Sequence, residues 1–544
     1  MNVRGLSPGV ITLVIVLASL VYFASFMRYG LAYDEGYLLD SVERILDGQV
    51  IYRDFHHTYA PGSFYLVAAL FKVFGQSILV ERWVFVVLEA LKCGLAFLIV
   101  RTVTRSRIAY LAPVLLVLAP GPWHKVFFPA FGFAALYAVL ATIKRSPRWF
   151  LATGAVIGIS AIFRQDVALF AVAGALLALG IETLRRRQGL TAALGKVAWL
   201  GLGLALAVGP VCIYFARQGA LGAMLHKIAV DGMLDNMTNR IPYPGLGAKT
   251  GVDWRFALYI LPVKLFFYLP FAVYGLSLAL VVRALARRAW TDGHTALSVI
   301  LVASVMAFNQ SAFRSDIGHL LQTMQYVFLL VPALLASGLT WPSRRLAPAG
   351  RSLLALRYGL TALPVVALAW VTLACTLAAS RPLAARFQRE GVSVGDTEYI
   401  GSMVLRAGNT TKLGLARAPI YVTPGEARFF MEIKGFLDAN TSPGEYVLAV
   451  PQLQTLYFLF DRKNPTRYAH YRRSLSPVEE RRYVDDIKSH GTAYILLTEP
   501  FEGARIGETS ESFSEYARPV RDWILANYVL VDRIGWVKIL RKRP

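Results

Sequence analysis

"SPGVITLVIVLASLVYFASFM", residues 7–27, runs directly into "RYGLAYDEGYLLD", residues 28–40. The first stretch is apolar enough, and with about 20 residues long enough, to cross a bilayer. It lacks a small-residue cleavage pattern, so it reads as a retained signal anchor. The second stretch sets two adjacent carboxylates, Asp34 and Glu35, where the chain leaves the membrane. Asp ahead of "EGYLLDSVERIL" is a good helix starter, which is one reading of the pair. A catalytic carboxylate at the membrane surface is the other.

The rest of the chain carries the same membrane signature. Of its 544 residues 56% are hydrophobic and 17% charged, with a mean hydropathy of +0.49; soluble domains hold roughly 25% charged residues. The net charge of +23 is uneven, because 24 of the 57 Lys/Arg and 19 of the 34 Asp/Glu fall in residues 381–544. The excess therefore belongs to the apolar part, where it reflects membrane topology and anionic lipid rather than nucleic acid. Cys93, Cys212 and Cys375 lie in apolar runs and suggest neither a disulfide nor a thiolate metal site.

About eleven stretches read as membrane spans: 9–28, 82–100, 108–120, 126–143, 149–163, 165–182, 194–215, 257–282, 295–312, 319–340 and 358–380. "PGSFYLVAALFKVFG" (61–75) is apolar but short and reads as re-entrant or interfacial. With the N-terminus inside, one side receives Arg4, "RTVTRSR", "IKRSPR", "LRRRQGLTAALGK", "VRALARRAWTDGH" and "WPSRRLAPAGRSLLALR". That side carries 18 Lys/Arg against two acids, Glu182 and Asp292, which marks it as cytoplasmic. The first outer loop is then about 29–81 and a long one about 216–256. The expected setting is a bacterial inner membrane, with the C-terminal part periplasmic.

Residues 1–380 are thus expected to form the catalytic membrane domain and 381–544 an extracytoplasmic α/β domain. In the latter, "YVLAV" (446–450), "LYFLF" (456–460), "AYILLTE" (493–499) and "YVLVDRIGWVKIL" (528–540) read as strands. "PGEARFFMEIKGFLDAN" and "SPVEERRYVDDIKSH" read as helices with Pro in the first turn. The alternation suggests a Rossmann-like sheet. It has no GxGxxG, P-loop or metal-ligand cluster, so an accessory role is expected.

The outer ends of the spans collect polar residues. The first loop supplies Asp34, Glu35, Arg53, Asp54, His56, His57 and Tyr59; "GPWHK" supplies Trp123, His124 and Lys125. "FRQD" adds Arg164 and Asp166, and "FNQSAFRSDIGHLLQ" adds Arg314, Asp316, His319 and Gln322. Each pair alone reads equally well as an ion pair or an interfacial anchor. Several helix ends bringing acids and bases to one side favour a site. Arg and Lys donate charge-assisted bonds to phosphate, Trp and Tyr offer faces for sugar rings, and a carboxylate takes a proton from an attacking hydroxyl. Together they fit group transfer from a lipid-linked phosphate. His56 and His57 with Asp34 or Asp54 are the alternative, a divalent metal site; otherwise no cofactor is expected.

At these residues the chain resembles the GT-C superfamily of integral-membrane glycosyltransferases, of the protein O-mannosyltransferase and lipid A aminoarabinose transferase type (glycosyltransferase family 39-like). The resemblance covers roughly residues 9–340. It rests on "YDEGYLLDSVERILDGQVIYRDF" after the first span and "HTYAPGSFYLVAALFKVFG" before the second. "FLATGAVIGISAIFRQDVALFAVAGALLAL" and "FRSDIGHLLQ" extend it. Two departures stand out: "YAP" where the family has a "KPP"-like triplet, and no acid in "GPWHK". The resemblance implies an inverting transfer from a polyprenyl-phosphate sugar to a hydroxyl of an envelope lipid, glycan or protein. Asp34 would be the base, with Lys125, Arg164 and Arg314 stabilising the leaving phosphate. Glu35, Asp54, His56, His57 and Tyr59 would support it or bind acceptor, and Trp123, His124, Asp166, Asp316 and His319 are further candidates.

The rival from another class is a transporter or flippase for a lipid-linked glycan. It predicts mid-span acids and repeated halves. Away from the span ends only Glu89, Lys92 and Lys264 are charged, and no repeat is evident. A phosphoethanolamine transferase would need a metal and a nucleophilic Thr or Ser in the C-terminal part, where no such cluster occurs.

Overall fold

Ser7 and Pro8 start the first helix as their types suggest. The Ser7 hydroxyl accepts from the Val10 amide, Pro8 occupies the first turn, and α1 runs Pro8–Ala24. The computed structural model describes residues 7–340, 392 and 408–544, except 33, 188, 239, 247–253, 452, 473 and 499–515. The eleventh expected span, 358–380, and Tyr33 lie outside the described residues.

The helices that follow are α2 (Glu35–Leu46), α3 (Gly62–Phe74), α4 (Ile78–Val103), α5 (Leu111–Leu118), α6 (Phe127–Thr142) and α7 (Trp149–Phe163). Then come α8 (Gln165–Arg186), α9 (Leu190–Arg217), α10 (Leu221–His226), α11 (Gly232–Thr238), α12 (Trp254–Ala286), α13 (Asp292–Phe313) and α14 (Ile317–Thr340). Among the described residues seven helices are long and apolar enough to cross a membrane, and four shorter apolar ones include α1, α3 and α7. Each of the first ten expected spans coincides with a helix.

The chain divides into two compact units, and neither is continuous in sequence. One, the helical unit, comprises residues 1–25, 85–211 and 243–397; the other, the loop unit, comprises 26–84, 212–242 and 398–544. The second unit thus groups residues 26–84 and 212–242 with the C-terminal part.

In the first unit small residues let helices close on each other. A Cβ on Gly154 of α7 would lie 2.0 Å from the Leu200 carbonyl oxygen, and one on Gly203 of α9 would lie 2.0 Å from that of Leu151. Only glycine permits that approach. Tyr326 of α14 is fully buried among Phe128, Phe133 and Phe170, and its hydroxyl donates to the Phe128 carbonyl at 3.2 Å.

In the second unit a four-stranded sheet has the order β3-β4-β6-β5, with β3 (Val447–Val450), β4 (Tyr494–Thr498), β5 (Tyr528–Ile534) and β6 (Val537–Lys542). A short pair precedes it, β1 (Thr411–Lys412) with β2 (Tyr421–Val422). Only β3–β4 is parallel; β4–β6 and β5–β6 are antiparallel. The sheet is mixed rather than doubly wound, because the run 528–540 is a hairpin turning at Gly535, where φ is +56°. The helices are α15 (Pro424–Asn440), α16 (Thr455–Phe460), α17 (Pro477–Ser489) and α18 (Arg518–Asn527). α15 and α17 both open with capping boxes, Thr423 with Glu426 and Ser476 with Glu479. "LYFLF", expected as a strand, is the helix α16, with every residue buried. It lies against α2 so closely that a Cβ on Gly36 would sit 2.3 Å from the Thr455 nitrogen.

Candidate active site

The acid pair 34–35 splits. Asp34 occupies the N-cap position of α2 in a helical conformation (φ −71°, ψ −18°), and its carboxylate makes no capping bond. It is partly exposed. Glu35 is fully buried and forms a two-pronged pair with Arg82, Nε to Oε1 at 2.9 Å and Nη2 to Oε2 at 2.8 Å. The same guanidinium donates to the carbonyls of Met27 and Gly30, each at 2.8 Å. Arg82 thus grips both ends of the segment that leads into Asp34. That segment is also tied to the C-terminal part, since Gly30 donates to the Tyr421 carbonyl at 2.8 Å and Tyr421 to that of Arg28 at 2.7 Å. Glu35 is an internal anchor, with no surface to offer an acceptor.

The other first-loop candidates have distinct surroundings. Asp54 is exposed, paired with Arg53 at 2.8 Å, and accepts from the Val50 amide at 2.7 Å. The Arg53 bonds hold its carboxyl below the usual range. His56 is buried; its Nε2 is 3.0 Å from Asp231 and beside the Arg472 guanidinium. Burial pushes its pKa down to about 4. His57 is buried, lowered by the same cause, and its Nδ1 accepts from the Tyr59 amide at 3.1 Å. The Tyr59 ring is exposed. Tyr37 bonds His470 Nε2 at 2.6 Å. Arg82, His470 and Arg472 escaped the sequence reading. For Arg82 the signal was a charge pair, Glu81-Arg82, opening an apolar span.

In the helical unit the candidates form two networks. Lys125 Nζ lies 3.4 Å from His319 Nε2, and His319 Nδ1 lies 2.7 Å from Asp316. A carboxylate only accepts, so Nδ1 carries the proton and Nε2 receives from the lysine. Asp316 is buried and also accepts from the His319 amide at 2.8 Å, with Arg314 at 3.6 Å. The second network starts at Arg164, which donates to Asp166 at 2.8 Å and lies 5.0 Å over the Phe128 ring. Asp166 caps the Val167 amide at 3.1 Å and accepts from Gln310 of α13. Trp123 is buried edge-on to Phe23, and His124 beside it is partly buried.

Among the described residues no three His, Cys, Asp or Glu side chains come together as metal ligands. His56 is engaged with Asp231 and Arg472, and His57 with a backbone amide, rather than with Asp34 or Asp54.

The chain is similar in fold to a solved structure. ArnT from Cupriavidus metallidurans bound to undecaprenyl phosphate superposes with a TM-score of 0.53 at 17% identity, covering 98% of this chain and 97% of that one. The chain has the GT-C fold. The apo state of the same ArnT gives 0.52 at 17% identity, covering 98% and 97%. Archaeal oligosaccharyltransferase AglB from Archaeoglobus fulgidus matches at 0.48 and 12% identity, covering 89% of this GT-C chain and 69% of its own. A family model described as dolichyl-phosphate-mannose-protein mannosyltransferase matches residues 57–214. Comparison with curated proteins gave no match.

Proposed function

We propose that this protein transfers a sugar from a polyprenyl-phosphate donor to a hydroxyl of a cell-envelope lipid, glycan or protein, with inversion, at the periplasmic face of a bacterial inner membrane. The observation that carries the reading is the split of the acid pair. Glu35 and Arg82 fix the loop from inside, and Asp34 is left partly exposed with its carboxylate not engaged in capping. A rigidly presented carboxylate beside a membrane boundary is what a general base needs.

Asp34 takes the proton of the acceptor hydroxyl. The hydroxyl oxygen attacks the anomeric carbon from the side opposite the phosphate, and the bond from that carbon to the phosphate oxygen breaks. The lipid phosphate leaves with the electron pair. Lys125, Arg164 and Arg314 offset the charge that develops on it. Each is held by a carboxylate or by a histidine braced on one, which limits the rearrangement required during the reaction. The fold of an ArnT that binds undecaprenyl phosphate supports a lipid-phosphate donor.

The test is transfer of radiolabelled sugar from synthetic polyprenyl-phosphate monosaccharides to envelope extracts by the purified protein in nanodiscs. Transfer that needs Asp34 supports the reading. Lipid-linked sugar that crosses the bilayer without release of polyprenyl phosphate would instead mark a flippase.

A further inference from the structure

Two amide oxygens in the helical unit have an orientation fixed by their surroundings. Asp166 only accepts, so the Gln310 side chain must turn its Nε2 toward it. Gln310 Oε1 then faces Gln322 of α14 and accepts from Gln322 Nε2 at 2.9 Å. This polarity runs from a carboxylate through two amides and ends on Gln322 Oε1. That oxygen is buried and receives no hydrogen bond from any described residue. Gln325, one turn further along α14, is fixed in the same way. Its Nε2 donates to the Pro120 carbonyl, which leaves Oε1 buried and likewise without a donor. Both side chains are about 2% exposed.

Residues three apart share one face of a helix. His319, Gln322 and Gln325 therefore make a polar stripe on the N-terminal half of a mostly apolar helix. The turn 120–125 lies over that stripe. A Cβ on Gly121 would sit 2.6 Å from Gln325 Nε2 and 3.6 Å from Gln322 Cα, and Lys125 reaches His319. Buried acceptors without donors are disfavoured, and polar groups inside a membrane span mark ligand paths. The missing partner has to be a hydrogen-bond donor, uncharged and small enough to enter an apolar bundle. A sugar hydroxyl fits each requirement, and a phosphate, which only accepts when ionised, does not.

We infer that Gln322 and Gln325 form a hydroxyl-recognition subsite for the sugar of the lipid-linked donor, each amide oxygen accepting from one hydroxyl. This rests on the proposed transferase reading and adds to it the residues that recognise the sugar rather than the lipid phosphate.

The experiment compares affinities for undecaprenyl phosphate and for a panel of undecaprenyl-phosphoryl pentoses and hexoses, using the full chain in nanodiscs. The wild type should bind at least one sugar-bearing lipid more tightly than the bare one. Gln322→Met and Gln325→Met should each cut that preference about tenfold, ~1.4 kcal/mol. The preference is a ratio measured on one preparation, so partial misfolding does not move it. A deoxy analogue of the best sugar should lose the same factor with wild type and nothing further with the matching variant. If both variants keep the full preference, or no sugar adds to affinity, the subsite is refuted and the oxygens are water-satisfied structural groups. If bare undecaprenyl phosphate itself fails to bind, the donor assignment falls first and the subsite with it.

Discussion

The loop unit and the helical unit use acid–base pairs in opposite senses. In the loop unit a cation is buried to hold an acid in place: Arg82 is fully enclosed, grips Glu35 and two carbonyls, and Asp34 beside them stays partly exposed. In the helical unit carboxylates hold cations in place. Asp316 is buried while Arg314 beside it is 38% exposed, and the His319 imidazole relays the same carboxylate to Lys125. A scaffold that presents a carboxylate suits proton removal; one that presents cations suits a phosphate. Internal ion pairs here serve to orient a neighbour, since a buried pair by itself is weak evidence for stability.

The largest effect expected from this contrast is on turnover. Asp34→Asn keeps the shape and removes the base, so kcat should fall by about 10²–10⁴, or ~3–5 kcal/mol, while the melting temperature in nanodiscs stays within error. Sugar transfer near the wild-type rate would end the base assignment. Replacing the internal member of the pair should do the reverse. Arg82→Met strands the Glu35 carboxylate in the interior and should destabilise the loop unit by about 3–5 kcal/mol. Arg82→Met with Glu35→Leu removes both charges, and should recover most of the melting temperature but not the activity, because the carbonyls of Met27 and Gly30 lose their donor. Full activity in the double variant would show that the Asp34 segment needs no grip.

A smaller effect is expected from pH. His56 is held neutral by burial at a pKa of about 4, against 6.5 in an unfolded chain, with Asp231, Arg472 and Lys227 around it. The unfolded state therefore binds the proton first as pH falls. Its contribution is complete above pH 6.5 and is lost between about 6.5 and 4, at up to ~1.4 kcal/mol per pH unit. His57 is shifted the same way. His56→Gln should flatten the acid side of the stability profile by as much as one proton. An unchanged slope in thermal melts from pH 7 to 4.5 would contradict that.

How far these features were visible in sequence depends on how local they are. The spans were visible because a bilayer imposes length and hydropathy on each helix separately. The starts of the two helices of the C-terminal part were equally local, since each is marked by Pro in its first turn. "LYFLF" was not, because a short, wholly buried apolar run reads alike as strand or helix. The Rossmann-like expectation failed at 528–540, where Gly535 breaks one apparent strand into a hairpin. The role of Glu35 was hidden because its partner stands 47 residues away. His56 was singled out as a candidate, yet Arg472, which fills its surroundings, is 416 residues distant and in a part expected to be accessory. Long-range partners leave no periodic trace, and they decide which of two neighbouring acids is internal.

The smallest expected effect lies with the acids of the helical unit. Asp166→Asn and Asp316→Asn leave the proposed phosphate cations in place but loosen their orientation. Each variant also increases local positive charge by one, which by Coulomb attraction alone should favour an anionic lipid. Orientation and charge therefore pull in opposite directions, and the sign of the change identifies the stronger. If the carboxylates act mainly by positioning, undecaprenyl phosphate should bind a few-fold to about tenfold more weakly, ~1 kcal/mol, within the range for one charge-assisted hydrogen bond. Arg164→Ala and Arg314→Ala lose the cations themselves and should weaken binding at least as much. Titration of the four variants with undecaprenyl phosphate at low and high salt separates the cases, because a gain from net charge shrinks with salt and a loss of buried geometry does not. Tighter binding to both Asn variants at low salt would mean that the acids restrain the cations electrostatically instead of aiming them, and the contrast between the two units would narrow to the Glu35–Arg82 anchor.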